Sequence, residues 1–418
     1  MAPGARLRAE GDGSYPARAA GPTGRIGTGH AAEQTPHGAA TYPAPPQELI
    51  ATRRPPMSET MTSRERYHAT FNYGQPDRLW LHPQWMFNET IERWLREGMP
   101  RDQHFNTYWG YDRREQIPIN YGVFPPLEHK VIESTAEWHI VEDELGGREK
   151  SWTDRGFGMN QRFTFPVRDR ATWEALKSRL DPHAAVRFPE YWEAYKRSVA
   201  DRDYPLTLHL GSLYGWMRGW VGMENLALWY YDCPDLVAEM TEYIGNFIYT
   251  IAERVLTEVP QIDAGLMWED MAMKTGPLIS PKLFREYMLA PMKRITGLAN
   301  QAGVNLIWVD SDGNNDDIVG LWLEGGVNLL YPLEVAASSD PIKLRKLHGN
   351  DLRLVGAIDK RVLRDGCTKA DIEKEVMSKV PEMVKLGGYS PMVDHAVPPD
   401  VPFVNFRYYM DLIHEICG

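Results

Sequence analysis

Cysteine is scarce in this sequence: Cys233, Cys367 and Cys417 are the three in 418 residues, widely spaced and with no Cys-x-x-Cys pair. That argues against a disulfide scaffold and a thiolate zinc cluster, and it fits a reducing cytoplasm. No apolar run approaches the ~20 residues of a membrane-spanning helix, and the start lacks the apolar stretch of a secretory signal. Basic charge is also in deficit: 46 Lys and Arg face 57 Asp and Glu, a net charge of -11. No basic stripe is available for a nucleic acid. A Gly-x-Gly-x-x-Gly loop is absent too, which weakens a doubly wound dinucleotide-binding sheet.

Material for a large core is present, with 43% hydrophobic and 11% aromatic residues. Residues 1–60 are the exception, rich in Ala, Gly, Pro and Arg without periodicity. They are expected to be disordered, as an idle tail or as a leader before a natural start at Met57 or Met61. One globular unit is expected over 61–418. Inside it, residues 127–165 alternate as His129-Lys-Val-Ile-Glu-Ser and Glu137-Trp-His-Ile-Val-Glu-Asp around Gly146-Gly147. This predicts a β-hairpin insertion.

After Pro182, short apolar runs alternate with helical stretches. The runs are Leu206-Thr-Leu-His-Leu, Ile262 to Trp268, Val304 to Val309, Val327 to Tyr331, Leu352 to Gly356 and Tyr389 to Val393, with Leu79-Trp-Leu-His ahead of them. Helices are expected at Pro281–Ala302 and Asp371–Lys385. Buried strands alternating with helices imply parallel β structure with helical crossovers. Seven such runs and room for an eighth predict an α/β fold of the (β/α)8, or TIM, barrel type.

A barrel of this kind places its chemistry just past the C-terminal ends of the strands. Those positions hold His82 and Gln84, His209, Glu269 and Asp270, Asp310 and Asp312, Glu334, Asp359 with Lys360, and Asp394 with His395. Asp310 and Asp312 alternate along an extended chain and so share a side. Two such carboxylates can share a proton, hold a hard cation or position a basic group. A carboxylate after a strand is also a common helix cap. A calcium loop is excluded, because Leu321 stands where its twelfth-position Glu would be. His395 precedes Pro398-Pro399 in a stiff loop and suits proton transfer or metal ligation. Arg218, among the aromatics of Tyr214 to Trp220, could clamp a carboxylate or be an ordinary helix-surface arginine.

The stretches Arg64 to Arg78, Trp268-Glu-Asp-Met-Ala, Ser280 to Tyr287, Asp310-Ser-Asp-Gly-Asn and Gly387 through His395 to Pro399 resemble bacterial proteins of the uroporphyrinogen decarboxylase superfamily. The resemblance implies a (β/α)8 barrel and one of two chemistries. The decarboxylase branch relies on N-terminal arginines, an Asp, a Tyr and a late His, which His395 matches. Its arginine loop is replaced by His82-Pro-Gln-Trp-Met-Phe, so Arg113, Arg114 or Arg218 would have to supply the cations. The methyltransferase branch holds zinc on His-x-Cys and a later Cys; here Asp310-Ser-Asp312 and His395 occupy those places.

The resulting expectation is a methyltransferase-like enzyme linked to a corrinoid on a partner protein. Asp310, Glu269 and His395 are the catalytic residues, and His82, Gln84, His209, Arg218, Asp270 and Glu334 the substrate-binding ones. Asp310, Asp312 and His395 are the ligands if zinc or another divalent metal is held. The alternatives are decarboxylation of tetrapyrrole acetate arms and a non-catalytic corrinoid- or tetrapyrrole-binding barrel. A small-molecule substrate, a corrinoid protein and a second copy of the chain are the partners this reading admits.

Overall fold

A computed structural model describes residues 60–152 and 160–418; apart from its last residue, the expected N-terminal tail lies outside them. The described chain opens with helix α1 (Ser63–Phe71), started by a capping box in which Thr62 and Glu65 satisfy each other's backbone N–H groups. Strand β1 (Glu115–Gln116) follows, then β2 (Lys130–Ser134), β3 (Trp138–Glu142), β4 (Arg148–Trp152) and β5 (Gln161–Thr164). The last four form an antiparallel sheet in the order β2-β3-β4-β5. Four strands therefore stand where the alternation had suggested a simple hairpin.

The principal sheet adds β6 (Leu206–His209), β7 (Ala264–Trp268), then, past a small β8 (Ala272–Met273) and β9 (Gly276–Pro277) hairpin, β10 (Ile307–Asp310), β11 (Leu329–Leu333), β12 (Arg353–Ile358) and β13 (Tyr389–Val393). Its order is β1-β6-β7-β10-β11-β12-β13, and every pairing is parallel. Side-chain alternation sorts the strands into two faces. Ala264, Leu306, Trp308, Leu329, Val355 and Met392 gather with Tyr67 and Phe71 of α1 and with Trp80. Met267, Ile307, Val309, Leu330, Leu354 and Val393 face the other way, into the large core beneath the helices. Helix α1 thus plugs the inner face from the strand N-terminal side, with the Trp308 indole N–H donating to Tyr67 Oη at 2.7 Å.

Among the described residues seven strands are hydrogen-bonded in this sheet, where eight were expected. Leu79–Gln84 keeps the alternation of a strand, with Trp80 inward and Leu79 and Leu81 outward, but side chains replace most of the ladder. The Leu81 carbonyl accepts from the Asp112 N–H at 3.0 Å, while the Leu81 N–H is taken by the Asp112 carboxylate at 2.8 Å. Toward β13, Gln84 accepts from the Val393 N–H and donates to the His395 carbonyl, both at 3.0 Å. Pro83 has no N–H to offer a ladder, which accounts for the substitution. The helices expected at Pro281–Ala302 and Asp371–Lys385 are each broken. The first contains a π-turn at Phe284–Met288; the second restarts at Val380–Leu386, with Pro381 in its first turn.

Candidate active site

One layer above Trp308, toward the strand C-termini, the inner face stops being dry. Trp80, Ala264, Leu306, Trp308 and Leu329 are buried, whereas Arg114, Gln116, His209, Leu266, Trp268, Asp310 and Tyr331 all keep partial exposure. Their alternation puts them on the inner side of neighbouring strands, so they line an accessible recess in the concave face of the sheet.

Two ionisable groups in it stand apart. Among the described residues, neither the Asp310 carboxyl nor the Arg114 guanidinium makes a hydrogen bond or ion pair. Burial, reinforced by the negative charges of Asp312 and Asp270, raises the Asp310 pKa well above the ordinary carboxylate value; Arg114 opposes this. The Arg114 charge is felt at Tyr67, His82 and Asp310. Its neighbour Arg113 has the opposite fate, stacked 3.8 Å over the Tyr204 ring and paired with Glu115.

The two histidines are fixed in opposite tautomers. His82 Nδ1 lies 2.7 Å from the Pro83 carbonyl, which can only accept, so Nδ1 carries the proton and Nε2 is an acceptor. The ring packs 5.0 Å from Tyr331 and 5.6 Å from Trp308, and burial pushes its pKa well below the usual value. His209 Nδ1 accepts the Gly211 N–H at 2.9 Å. Burial lowers its pKa to about 4, so the ring is neutral at pH 7 with Nε2 as a donor.

At the rim, His395 Nε2 donates to Asp312 at 3.2 Å. Burial alone would lower the His395 pKa, but the hydrogen bond and charge of Asp312 outweigh it and raise the pKa. Arg218 pairs with Asp270 at 2.5 Å and lies 5.6 Å over Trp268. The Glu334 carboxylate accepts the Gly313 N–H at 3.0 Å and has Lys360 at 4.0 Å. A register shift between Leu330 and Leu333 lets Glu334 come around to this side. Gln84 belongs to the seam with β13. Asp394 is fully buried and accepts the Val335 and Lys360 N–H groups, tying the loops after β11 and β12; burial raises its pKa to about 6. Asp359 caps the turn that follows it, bonded to Arg361.

Glu269 departs from its expected role. Glu269 sits on the outer side of β7 and is 1% exposed. Its carboxylate accepts from the Leu213 N–H at 3.0 Å, the Tyr214 N–H at 2.7 Å, the Gly215 N–H at 3.4 Å and the Ser212 hydroxyl at 3.3 Å. It therefore caps helix α2 (Tyr214–Val221) rather than orienting substrate. Burial drives its pKa up to about 7 against the pull of those amides. Glu269→Gln would set an NH2 against those N–H groups; we expect a loss of about 1–3 kcal/mol in urea unfolding, with KM nearly unchanged. The expected metal ligands are arranged differently. His395 is engaged with Asp312, and among the described residues no three His, Cys, Asp or Glu side chains gather as a metal would need. Among the described residues Asp310, Asp312 and His395 do not gather as a three-ligand set.

Residues 157–416 match the uroporphyrinogen decarboxylase (URO-D) family. The chain belongs to this family. The match covers the whole sheet from β6 onward, together with the Asp310–Asp312 and His395 loops. No curated protein sequence matches it. Among solved structures, a methyltransferase from Methanosarcina mazei is similar, with a TM-score of 0.55 and 14% identity, covering 86% of this chain and 100% of that one. At that identity the likeness speaks for the fold. Among the described residues no helix is long and apolar enough to cross a membrane. The URO-D family and the fold point to an enzyme of this superfamily.

Proposed function

We propose that this URO-D family chain removes a one-carbon unit, as CO2, from a small carboxylated substrate held by Arg114 and protonated by Asp310. The observation behind this reading is the pairing of an unpartnered guanidinium with an unpartnered, neutral-leaning carboxyl in one recess. A planar guanidinium without a protein partner is suited to a carboxylate. The carbon–carboxylate bond breaks with its electron pair remaining on carbon, and Asp310 delivers the proton that forms the new C–H bond. Solvent at the recess mouth reprotonates Asp310. A single unpaired arginine among the described residues of the recess suits a compact substrate with one or two carboxylates better than one with eight. Leu79–Gln84, bonded to the β13 end through Gln84 and to Asp112 through Leu81, would complete the wall.

Methyl transfer is the second reading, favoured by the similarity to a solved methyltransferase. There Asp310 would protonate the heteroatom that loses its methyl group, and a corrinoid on a partner protein would accept it. Turnover in D2O separates the two. Decarboxylation leaves one deuterium on the vacated carbon of a carboxylated test substrate, uroporphyrinogen or a smaller di-acid. Methyl transfer instead gives methylcobalamin from added cob(I)alamin. Arg114→Gln is expected to raise KM by about tenfold or more for the carboxylated substrate, as a lost charge-assisted hydrogen bond would. No CO2 from any carboxylated compound, with methylation of cob(I)alamin, would sink the first reading.

A further inference from the structure

Within that recess His82 is a group of unusual definiteness. It is 4% exposed, faces inward by the alternation of Leu79–Gln84, and has Nδ1 committed to the Pro83 carbonyl. Among the described residues Nε2 has no partner, yet it is not one of the fully enclosed unsatisfied atoms. A buried acceptor left open toward a recess is completed by a ligand or by water. Lysine and arginine donors do not reach it: Arg114 acts on the ring only through space. The walls beside it, Tyr331 and Trp308, are aromatic faces.

We infer that His82 is a specificity-determining residue, selecting planar carboxylates that also carry a hydroxyl or N–H able to donate to its Nε2. His209, whose Nε2 presents a donor, supplies the complementary group on the inner face of β6. A ligand anchored on Arg114 but lacking the donor leaves the His82 acceptor dry and unpaired, which is how buried polar groups reject near-isosteres. The inference rests on the Arg114 anchor proposed above, and the test keeps the two apart.

Benzoate and its 2-, 3- and 4-hydroxy derivatives are titrated calorimetrically into the full chain. At least one hydroxy derivative is expected to bind about five- to tenfold tighter than benzoate, the scale of one hydrogen bond. His82→Phe should abolish the difference, and His82→Gln, whose amide oxygen can accept, should restore part of it. Arg114→Gln should weaken all four probes alike. In the ligand-free protein, 15N shifts should show His82 protonated on Nδ1 and bare on Nε2. A proton on Nε2, equal affinities across the probes, a preference surviving in His82→Phe, or no binding by any probe overturns the inference. Uniform weakening in Arg114→Gln without a hydroxyl preference would leave the anchor standing and remove only the His82 role. A hydroxyl preference indifferent to Arg114 would do the reverse.

Discussion

Asp310→Asn is expected to lower turnover by about 10²–10⁴-fold, the range for a deleted general acid, while making the protein harder to unfold above about pH 5. The two effects share one cause. Among the described residues Asp310 is an acid without a hydrogen-bond or ion-pair partner, half-buried in the recess next to Asp312 and Asp270. Asn has the same shape and can still hydrogen-bond, but it cannot deliver a proton. For stability the sign follows from proton counts. Because the folded-state pKa lies above the ordinary value near 3.8, the folded chain binds more protons than the unfolded chain between the two pKa values. Stability therefore falls as pH rises through that window and stays lower above it. A neutral Asn has no such slope. Thermal melts from pH 4 to 9 should show the variant and parent alike at the acid end and the variant higher at pH 8. Retained turnover would remove Asp310 as the acid; a variant less stable at pH 8 would mean the carboxyl has a stabilising partner.

The strands of the principal sheet were mostly legible because buried parallel strands are short, apolar and β-branched or aromatic. Leu206-Thr-Leu-His and Ile307-Trp-Val-Asp carry that signature in a few residues. Strand β1 does not: it is Glu115–Gln116, two half-buried polar residues in a polar stretch. For the same reason Arg114 entered the sequence reading only as a spare cation for the decarboxylase alternative. Counting alternate positions back from Ile117, which is 1% exposed and outward, would have put Gln116 and Arg114 inside. The opposite error befell Glu269. Proximity to a strand end suggested the site, but parity with Met267 turns it outward. What happens beyond the strand depends on backbone that sequence does not announce, such as the positive φ of 42° at Asp270. The His395–Asp312 pairing was not legible, because ligand-like residue types say nothing of which two will bond.

The seam at the eighth position leads to the other large effect. Asp112 is 3% exposed and holds three segments at once. One oxygen takes Arg66 of α1 at 2.6 Å; the other takes Arg78 at 2.6 Å and the Leu81 N–H at 2.8 Å. Arg66 is itself 1% exposed, so Asp112→Ala removes a buried anion and leaves a buried cation that keeps Asp77 but loses Asp112. Breaking such a pair from one side costs about 3–5 kcal/mol. The exposed pair Arg148–Glu142 on the antiparallel sheet, at 2.9 Å, offers the contrast: Arg148→Ala should change stability by less than about 1 kcal/mol. Urea unfolding of both variants tests the difference. Hydrogen exchange at the Leu81 amide shows where the loss falls, since that N–H has the Asp112 carboxylate as its acceptor. If Asp112→Ala unfolds near the parent's midpoint with Leu81 still protected, something other than this carboxylate closes the gap between β13 and β1. If it unfolds early with Leu81 exchanging fast, a single aspartate does the work of a missing strand ladder. The recess that holds Arg114 and His82 would then depend on it for one of its walls.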